Sequence, residues 1–244
     1  MLVAPDFDII AGQLSERYMH SCPICRGSGF AYKEVEDPAA RKRQDCECRK
    51  EYNFQIGLRF GNVPSEFWGV ESMKIVHNLT NLKIVDEYCA HLRKRRSKGV
   101  GFIMYGENGA GKTAMGTLIL ARAIRAGMSV SYVTAHDYLQ AGPASWSDPA
   151  LKEWLQDIVD ADFMVLDELG KEYRKQDASR LADIDTLLRR RRGDLKPTIL
   201  ITNCSVSEFR EKYGESIVSI LSDRNKALVY EPGDYRRTNK PDVK

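Results

Sequence analysis

Eight consecutive residues, Gly106-Glu107-Asn108-Gly109-Ala110-Gly111-Lys112-Thr113, fit the pattern G-x-x-x-x-G-K-[ST] without mismatch. Each residue type has a chemical task in such a loop. Glycines permit the backbone angles that turn successive N–H groups inward as an anion nest. Lys112 brings a point charge to the terminal phosphates, and Thr113 offers a hydroxyl to Mg²⁺. A helix opening directly after the loop would aim its positive end at the phosphates. The eight residues are the expected binding site for ATP.

A second constellation follows about fifty residues later, where Phe163-Met164-Val165-Leu166 leads into Asp167-Glu168. An apolar strand ending on two carboxylates can hold Mg²⁺ through Asp167 and polarise an attacking water through Glu168. The bland alternative is a pair of acids capping the next helix. Thr198–Thr202 reads as a further buried strand, and Asn203 at its tip either hydrogen-bonds the γ-phosphate and lytic water or simply turns the chain.

Cys22-Pro23-Ile24-Cys25 and Cys46-Glu47-Cys48 form two close pairs separated by twenty residues. Such pairs across a loop are the usual arrangement for tetrahedral Zn²⁺ held by thiolates. Residues 1–60 show little sustained apolar periodicity, so a metal would supply the folding energy a small core lacks. His20 is a substitute ligand, though four cysteines already close the site. Cys89 and Cys204 read as core residues.

These groups need a scaffold, and the chain supplies a pattern for one. Residues 61–70 read as a connector, with Gly61-Asn62 and Pro64 as turn formers. Beyond it helix and strand alternate. Helices are expected over 81–96, 113–126, 150–158, 178–192 and 206–213, and strands over 100–105, 129–134, 163–166, 198–202 and 227–231. Alternation of this kind implies a mostly parallel α/β sheet covered on both faces, with ligands at the carboxyl ends of the strands. The phosphate loop, Asp167-Glu168 and Asn203 all fall at such ends. The expected organisation is a zinc-binding module over 1–60, a connector and leading helix over 61–97, and an ATPase domain over 98–244.

Composition fits a globular protein: among 244 residues 43% are hydrophobic and 29% charged. No apolar run approaches the ~20 residues that span a bilayer, so no membrane partner is expected. Met1–Gly12 carries Asp6 and Asp8 without a basic stretch, unlike a secretory signal. The cytoplasm is then the expected compartment, where thiols stay reduced. Net charge is only +3, which gives no global field for nucleic acid. The basic residues are clustered, however, at Arg41-Lys42-Arg43, Arg93–Arg96 and Arg189–Arg192, runs that serve either as solvated faces or as polyanion contacts.

Leu166-Asp167-Glu168-Leu169-Gly170, Thr202-Asn203 and Gly233-Asp234-Tyr235-Arg236 together resemble the AAA+ ATPases of the DnaC/DnaI helicase-loader and IstB group over residues 98–238. The resemblance implies a RecA-like P-loop domain with no substantial lid. It gives Asn203 a sensor-1 role and Arg236 a sensor-2 role. It also implies an arginine finger, acting on a neighbouring subunit's nucleotide, within Gly214–Arg224. Ile220 stands where that arginine is expected, and Arg224, four residues on, is the nearest candidate, with a plain surface residue as the alternative. Single-stranded DNA contacts are implied at Lys171–Lys175, with Tyr173 as a stacking residue, and at Arg189–Arg192; a solvated loop is the competing reading for the first.

A zinc module ahead of such a domain resembles DnaI-type and phage-encoded loaders, whose N-terminal domain grips the replicative helicase. The expected function is ATP-dependent loading of a DnaB-type hexameric helicase onto single-stranded DNA, with ATPase domains associating head-to-tail. Two alternatives stay open. One is an IstB-like transposition helper acting on duplex DNA. The other is an adaptor that binds nucleotide but hydrolyses it poorly, because of Ile220.

Overall fold

The computed structural model describes residues 7–32, 42–170 and 178–233. The chain begins with helix α1 (Phe7–Ser15), continued by a wider turn over Glu16–His20. A small antiparallel ribbon follows, β1 (Phe30–Tyr32) against β2 (Arg43–Asp45). Helix α2 (Glu47–Phe60) comes next. Sequence periodicity had marked no helix here, because only Phe54 and Leu58 are buried along its length. Those two residues enter the main core. A Cβ on Gly57 would lie 2.5 Å from Ile124 Cγ2, so glycine permits a helix–helix contact closer than any side chain would.

Two helices then replace the single one expected over 81–96: α3 (Leu79–Cys89) and α4 (Leu92–Ser97). His91 leaves helical geometry at φ −130°. The Tyr88 hydroxyl donates to Val100 O at 2.5 Å, fixing the return of the chain toward the sheet. From there the alternation is β3 (Gly101–Tyr105), α5 (Lys112–Arg125), β4 (Val130–Thr134), α6 (Ala135–Ala144), α7 (Pro149–Asp160), β5 (Phe163–Leu169), α8 (Ala178–Gly193), β6 (Thr198–Thr202), α9 (Val206–Ser222) and β7 (Asn225–Val229).

Helix α6 escaped the sequence reading, since Gly142 and Pro143 near its end mimic a loop; its start is capped by the Thr134 hydroxyl, which accepts from Asp137 N–H. The helix expected over 206–213 bends at Gly214 (φ 74°) and resumes, because Ile217, Val218 and Leu221 give the second segment its own buried face. The last strand starts two residues earlier than expected.

Five parallel strands stack in the order β4-β5-β6-β3-β7. Both faces are buried, and the strands show it by strict alternation. Phe102, Met104, Tyr132, Phe163, Val165, Ile199 and Ile201 face α2, α3 and α5. Ile103, Tyr105, Val133, Met164, Leu166 and Leu200 face α6 to α9. One residue breaks the rule. Leu169 should share the face of Val165, yet it packs on the opposite one, because the β5–β6 register shifts between Leu166 and Leu169. That bulge contains Asp167 and Glu168.

Candidate nucleotide and metal sites

Gly106–Gly111 joins the carboxyl end of β3 to the start of α5. Gly106 adopts φ 148° beneath Tyr230; a Cβ there would meet Tyr230 Cβ at 2.9 Å. Gly109 and Gly111 also take positive φ, at 81° and 89°. Lys112 is 4% exposed, and its ammonium donates to Gly106 O and Glu107 O, both at 2.7 Å, and to Asn203 Oδ1 at 2.9 Å. The third contact joins the loop to the tip of β6, so Asn203 lies at the phosphate end of the fold.

Thr113 Oγ1 donates to Asp167 Oδ2 at 2.8 Å. The two groups that can hold Mg²⁺ therefore stand side by side, and a set of hard oxygen donors suits that cation. The threonine hydroxyl keeps lone pairs for a metal while its O–H donates to the carboxylate. Asp167 accepts from Tyr132 Oη at 2.9 Å and from Glu168 N–H as well. Burial pushes the Asp167 carboxyl above its ordinary pKa, and the bonds from Thr113, Glu168 N–H and Tyr132 pull against that rise.

Glu168 sits at φ 60°, left-handed and uncommon for a residue with a Cβ. The cost is on the order of 1–2 kcal/mol. What it achieves is a break in strand alternation directly after Asp167. In a regular strand, neighbouring carboxylates would point to opposite faces. Here the Glu168 charge is close enough to raise the pKa of both Asp167 and Tyr132. Two adjacent carboxylates at the carboxyl end of β5 can hold a cation and polarise a water.

A pocket of about 280 Å³, counting its open mouth, adjoins the loop on the side away from Asp167, lined by Ile75, His77, Asn78, Ala114, Met115 and Tyr230 among others. Asn78, at φ 53°, donates to Ala110 O at 3.2 Å and accepts from Glu231 N–H at 3.0 Å, tying the loop to the exit of β7. A mostly apolar lining with polar groups from His77 and Asn78 suits a base. Neither Tyr132 nor this pocket was found from the sequence; the one available signal was an asparagine, tolerant of left-handed backbone, just ahead of a helix.

Arg224 is not brought to this site. It lies at the amino end of β7, where its carbonyl accepts from Gly101 N–H, and its guanidinium rests on Asp223 at 3.5 Å. The loop follows the other end of β3, about 15 Å along the sheet. Ile220 is half-buried near it, at the same amino end of the sheet. Arg236, Tyr173 and the rest of Lys171–Lys175 lie outside the described residues. The run Arg189–Arg192 divides. Arg191, expected to contact DNA, is instead fully buried and bonded to five protein oxygens. Arg190 and Arg192 lie at the surface beside Asp160 and Asp223.

The cysteine cluster lies at the start of α2. The sulfurs of Cys22, Cys25, Cys46 and Cys48 all fall within 4.8 Å of one another, with Cys22–Cys46 at 3.8 Å and Cys25–Cys48 at 3.3 Å. A tetrahedral Zn–S length of ~2.3 Å requires sulfur separations near ~3.8 Å, so the donor set fits zinc. Gly29 N–H donates to Cys25 Sγ, and Cys46 N–H to Gly29 O, closing the knuckles on each other. His20 is exposed and is not in the cluster. The Phe30 ring beside it is flanked by the guanidinium groups of Arg43 and Arg49 at 3.4 and 4.2 Å. Among the described residues no helix is long and apolar enough to cross a membrane.

The model of the family described as "IstB-like ATP binding protein" matches residues 49–226. The replicative helicase loader DnaC of Escherichia coli (strain K12) is 26% identical over 134 residues, 52% of each chain. The chain thus spans about half the length of the curated relatives it matches. Among solved structures, the DnaC helicase loader superposes with TM-score 0.60 at 21% identity, over 69% of this chain and 100% of that one. The structure titled DnaI gives 0.57 at 16% identity, over 71% and 94%. At these identities the structural likeness establishes the fold alone, a parallel α/β sheet with a phosphate loop after its first strand.

Proposed function

The chain belongs to the IstB-like ATP-binding family and is a P-loop ATPase domain with an appended cysteine cluster, and from that premise we propose that it loads a DnaB-type replicative hexameric helicase onto single-stranded DNA. The observation that carries this reading is helix α2. Cys48 near its start belongs to the four-cysteine cluster, and Phe54 and Leu58 farther along enter the core beneath α5, the helix that opens at Lys112. A partner held by the zinc-binding module would thereby be tied rigidly to a nucleotide site. The likeness to DnaC supports the same class of partner.

In this scheme Gly106–Thr113 cradles the ATP phosphates, and Lys112 neutralises their charge. Thr113 and Asp167 would hold Mg²⁺, which when bound would draw charge from the phosphate oxygens. Glu168 orients and polarises the attacking water, while Asn203 fixes the position of the γ-phosphate relative to Lys112. Arg236 would contact the nucleotide from within the same chain. Arg224, remote from its own site at the opposite end of the sheet, can serve only a neighbour's. Head-to-tail association meets that need, and such heterologous contacts build a ring or an open spiral. Cys22, Cys25, Cys46 and Cys48 would hold Zn²⁺ with four thiolates and no open position, making the site a folding staple.

The resemblance to the IstB group keeps a second reading, a transposition helper acting on duplex DNA, and the family match is compatible with it. Co-purification separates the two. Stable ATP-dependent association with a DnaB-type hexamer, and its transfer to single-stranded DNA, is the expected result. ATP-dependent filaments on duplex DNA without helicase binding would overturn it.

A further inference from the structure

The geometry points to Tyr132 as a positioning residue for Asp167, holding that carboxylate where it and Thr113 share a cation. This rests on the assignment of Thr113 and Asp167 as the Mg²⁺ site. Asp167 Oδ2 accepts two hydroxyl protons, from Thr113 at 2.8 Å and from Tyr132 at 2.9 Å. Thr113 stands in the first turn of α5, directly after the phosphate loop. Tyr132 belongs to the sheet. It pairs with Val165, two residues before Asp167 on the neighbouring strand, so its side chain lies on the face of Asp167. Two residues of strand span about 6.6 Å, a distance a tyrosine side chain leaning along the strand can bridge.

The backbone of Tyr132 is itself held from outside the sheet. Its N–H donates to Gly61 O at 2.7 Å, and its carbonyl accepts from Asn62 Nδ2 at 3.1 Å. Both groups come from the turn that ends α2, so Tyr132 is clasped whatever occupies the nucleotide site. An aspartate has a free terminal torsion, and only its donors set the plane of its oxygens. Remove the phenol and Asp167, 4% exposed, keeps Thr113 and Glu168 N–H but loses the donor fixed to the scaffold. The ring does separate work in the core, which Phe preserves.

Tyr132→Phe should therefore weaken the Mg²⁺ dependence of nucleotide binding and leave metal-free binding alone. With a fluorescent ATP analogue titrated at a series of Mg²⁺ concentrations, half-saturating Mg²⁺ should rise about tenfold, the low end for loss of a group that orients a metal ligand. Affinity in EDTA should match wild type. In an Asp167→Asn background, Tyr132→Phe should add nothing further. An unchanged Mg²⁺ requirement, equal losses with and without metal, or additive effects with Asp167→Asn would each overturn the inference. Thermal unfolding of the same samples decides whether the fold is kept, and a substitution that unfolds the protein would make Tyr132 structural and also overturn it. If wild-type binding itself gains nothing from Mg²⁺, it is the assignment of the metal site that fails.

Discussion

Replacing Arg191 by methionine should cost the protein about 3–5 kcal/mol of stability, the range found when one member of a buried charged network is removed. The guanidinium donates to Ile158 O at 3.2 Å, Val159 O at 2.8 Å, Ala161 O at 2.9 Å, Pro197 O at 2.8 Å and Thr198 Oγ1 at 3.0 Å. The first three end α7 and its exit to β5; the last two precede and open β6. Methionine keeps the stem's bulk and donates nothing. Five buried acceptors left unpaired would cost roughly 1–3 kcal/mol each. Against that stands relief from enclosing a cation. Burial pulls the Arg191 pKa down to about 9, a sign that the charge is held at a cost.

The remainder is at least about a fifth of the ~5–15 kcal/mol that keeps a domain folded. Urea titration should show a lower midpoint at unchanged slope, and melting should fall by roughly 10 °C. Arg190→Met is the control, because Arg190 is exposed and 3.8 Å from Asp160; it should change stability by less than ~0.5 kcal/mol. Equal small effects from the two substitutions would refute the structural role assigned to Arg191.

Three further outcomes test the sites. Lys112→Ala removes an ammonium worth about 4 kcal/mol against phosphate at an effective dielectric near 20, so ATP should bind roughly 1,000-fold more weakly in equilibrium titrations; near-normal affinity would remove the loop assignment. Glu168→Gln should retain ATP affinity and lose about 10²–10⁴-fold in turnover measured by phosphate release; wild-type turnover would exclude Glu168 as the group that polarises water. Cys22→Ser with Cys25→Ser should take zinc from one per chain to none by elemental analysis, with proteolysis opening residues ahead of α2; a metal content unchanged by the two substitutions would refute the site.

The phosphate loop, the Asp-Glu strand tip, the paired cysteines and the alternating α/β pattern are all legible in the sequence. Each depends on local rules: glycine at positive φ, apolar periodicity, and ligand spacing within a few residues. The expected strand over 198–202 matches β6 residue for residue, since a short apolar run bounded by turns leaves no choice. Where local signals conflict the pattern fails: α6, with Gly142-Pro143 near its end, is not legible at all, and α9 runs on past Gly214.

What tertiary structure alone decided concerns groups far apart in the chain. Tyr132 meets Asp167 because β4 and β5 pair in one register. Leu169 crosses to the face opposite Val165 because a one-residue shift between β5 and β6 suspends the period of two. Asn78 reaches both Ala110 and Glu231, separated by more than a hundred residues, and no local pattern encodes that. In Arg189–Arg192 four identical side chains follow one another, yet a helix turns each by about 100°. One of the four enters the core, and which one depends on where the carbonyls ending α7 lie.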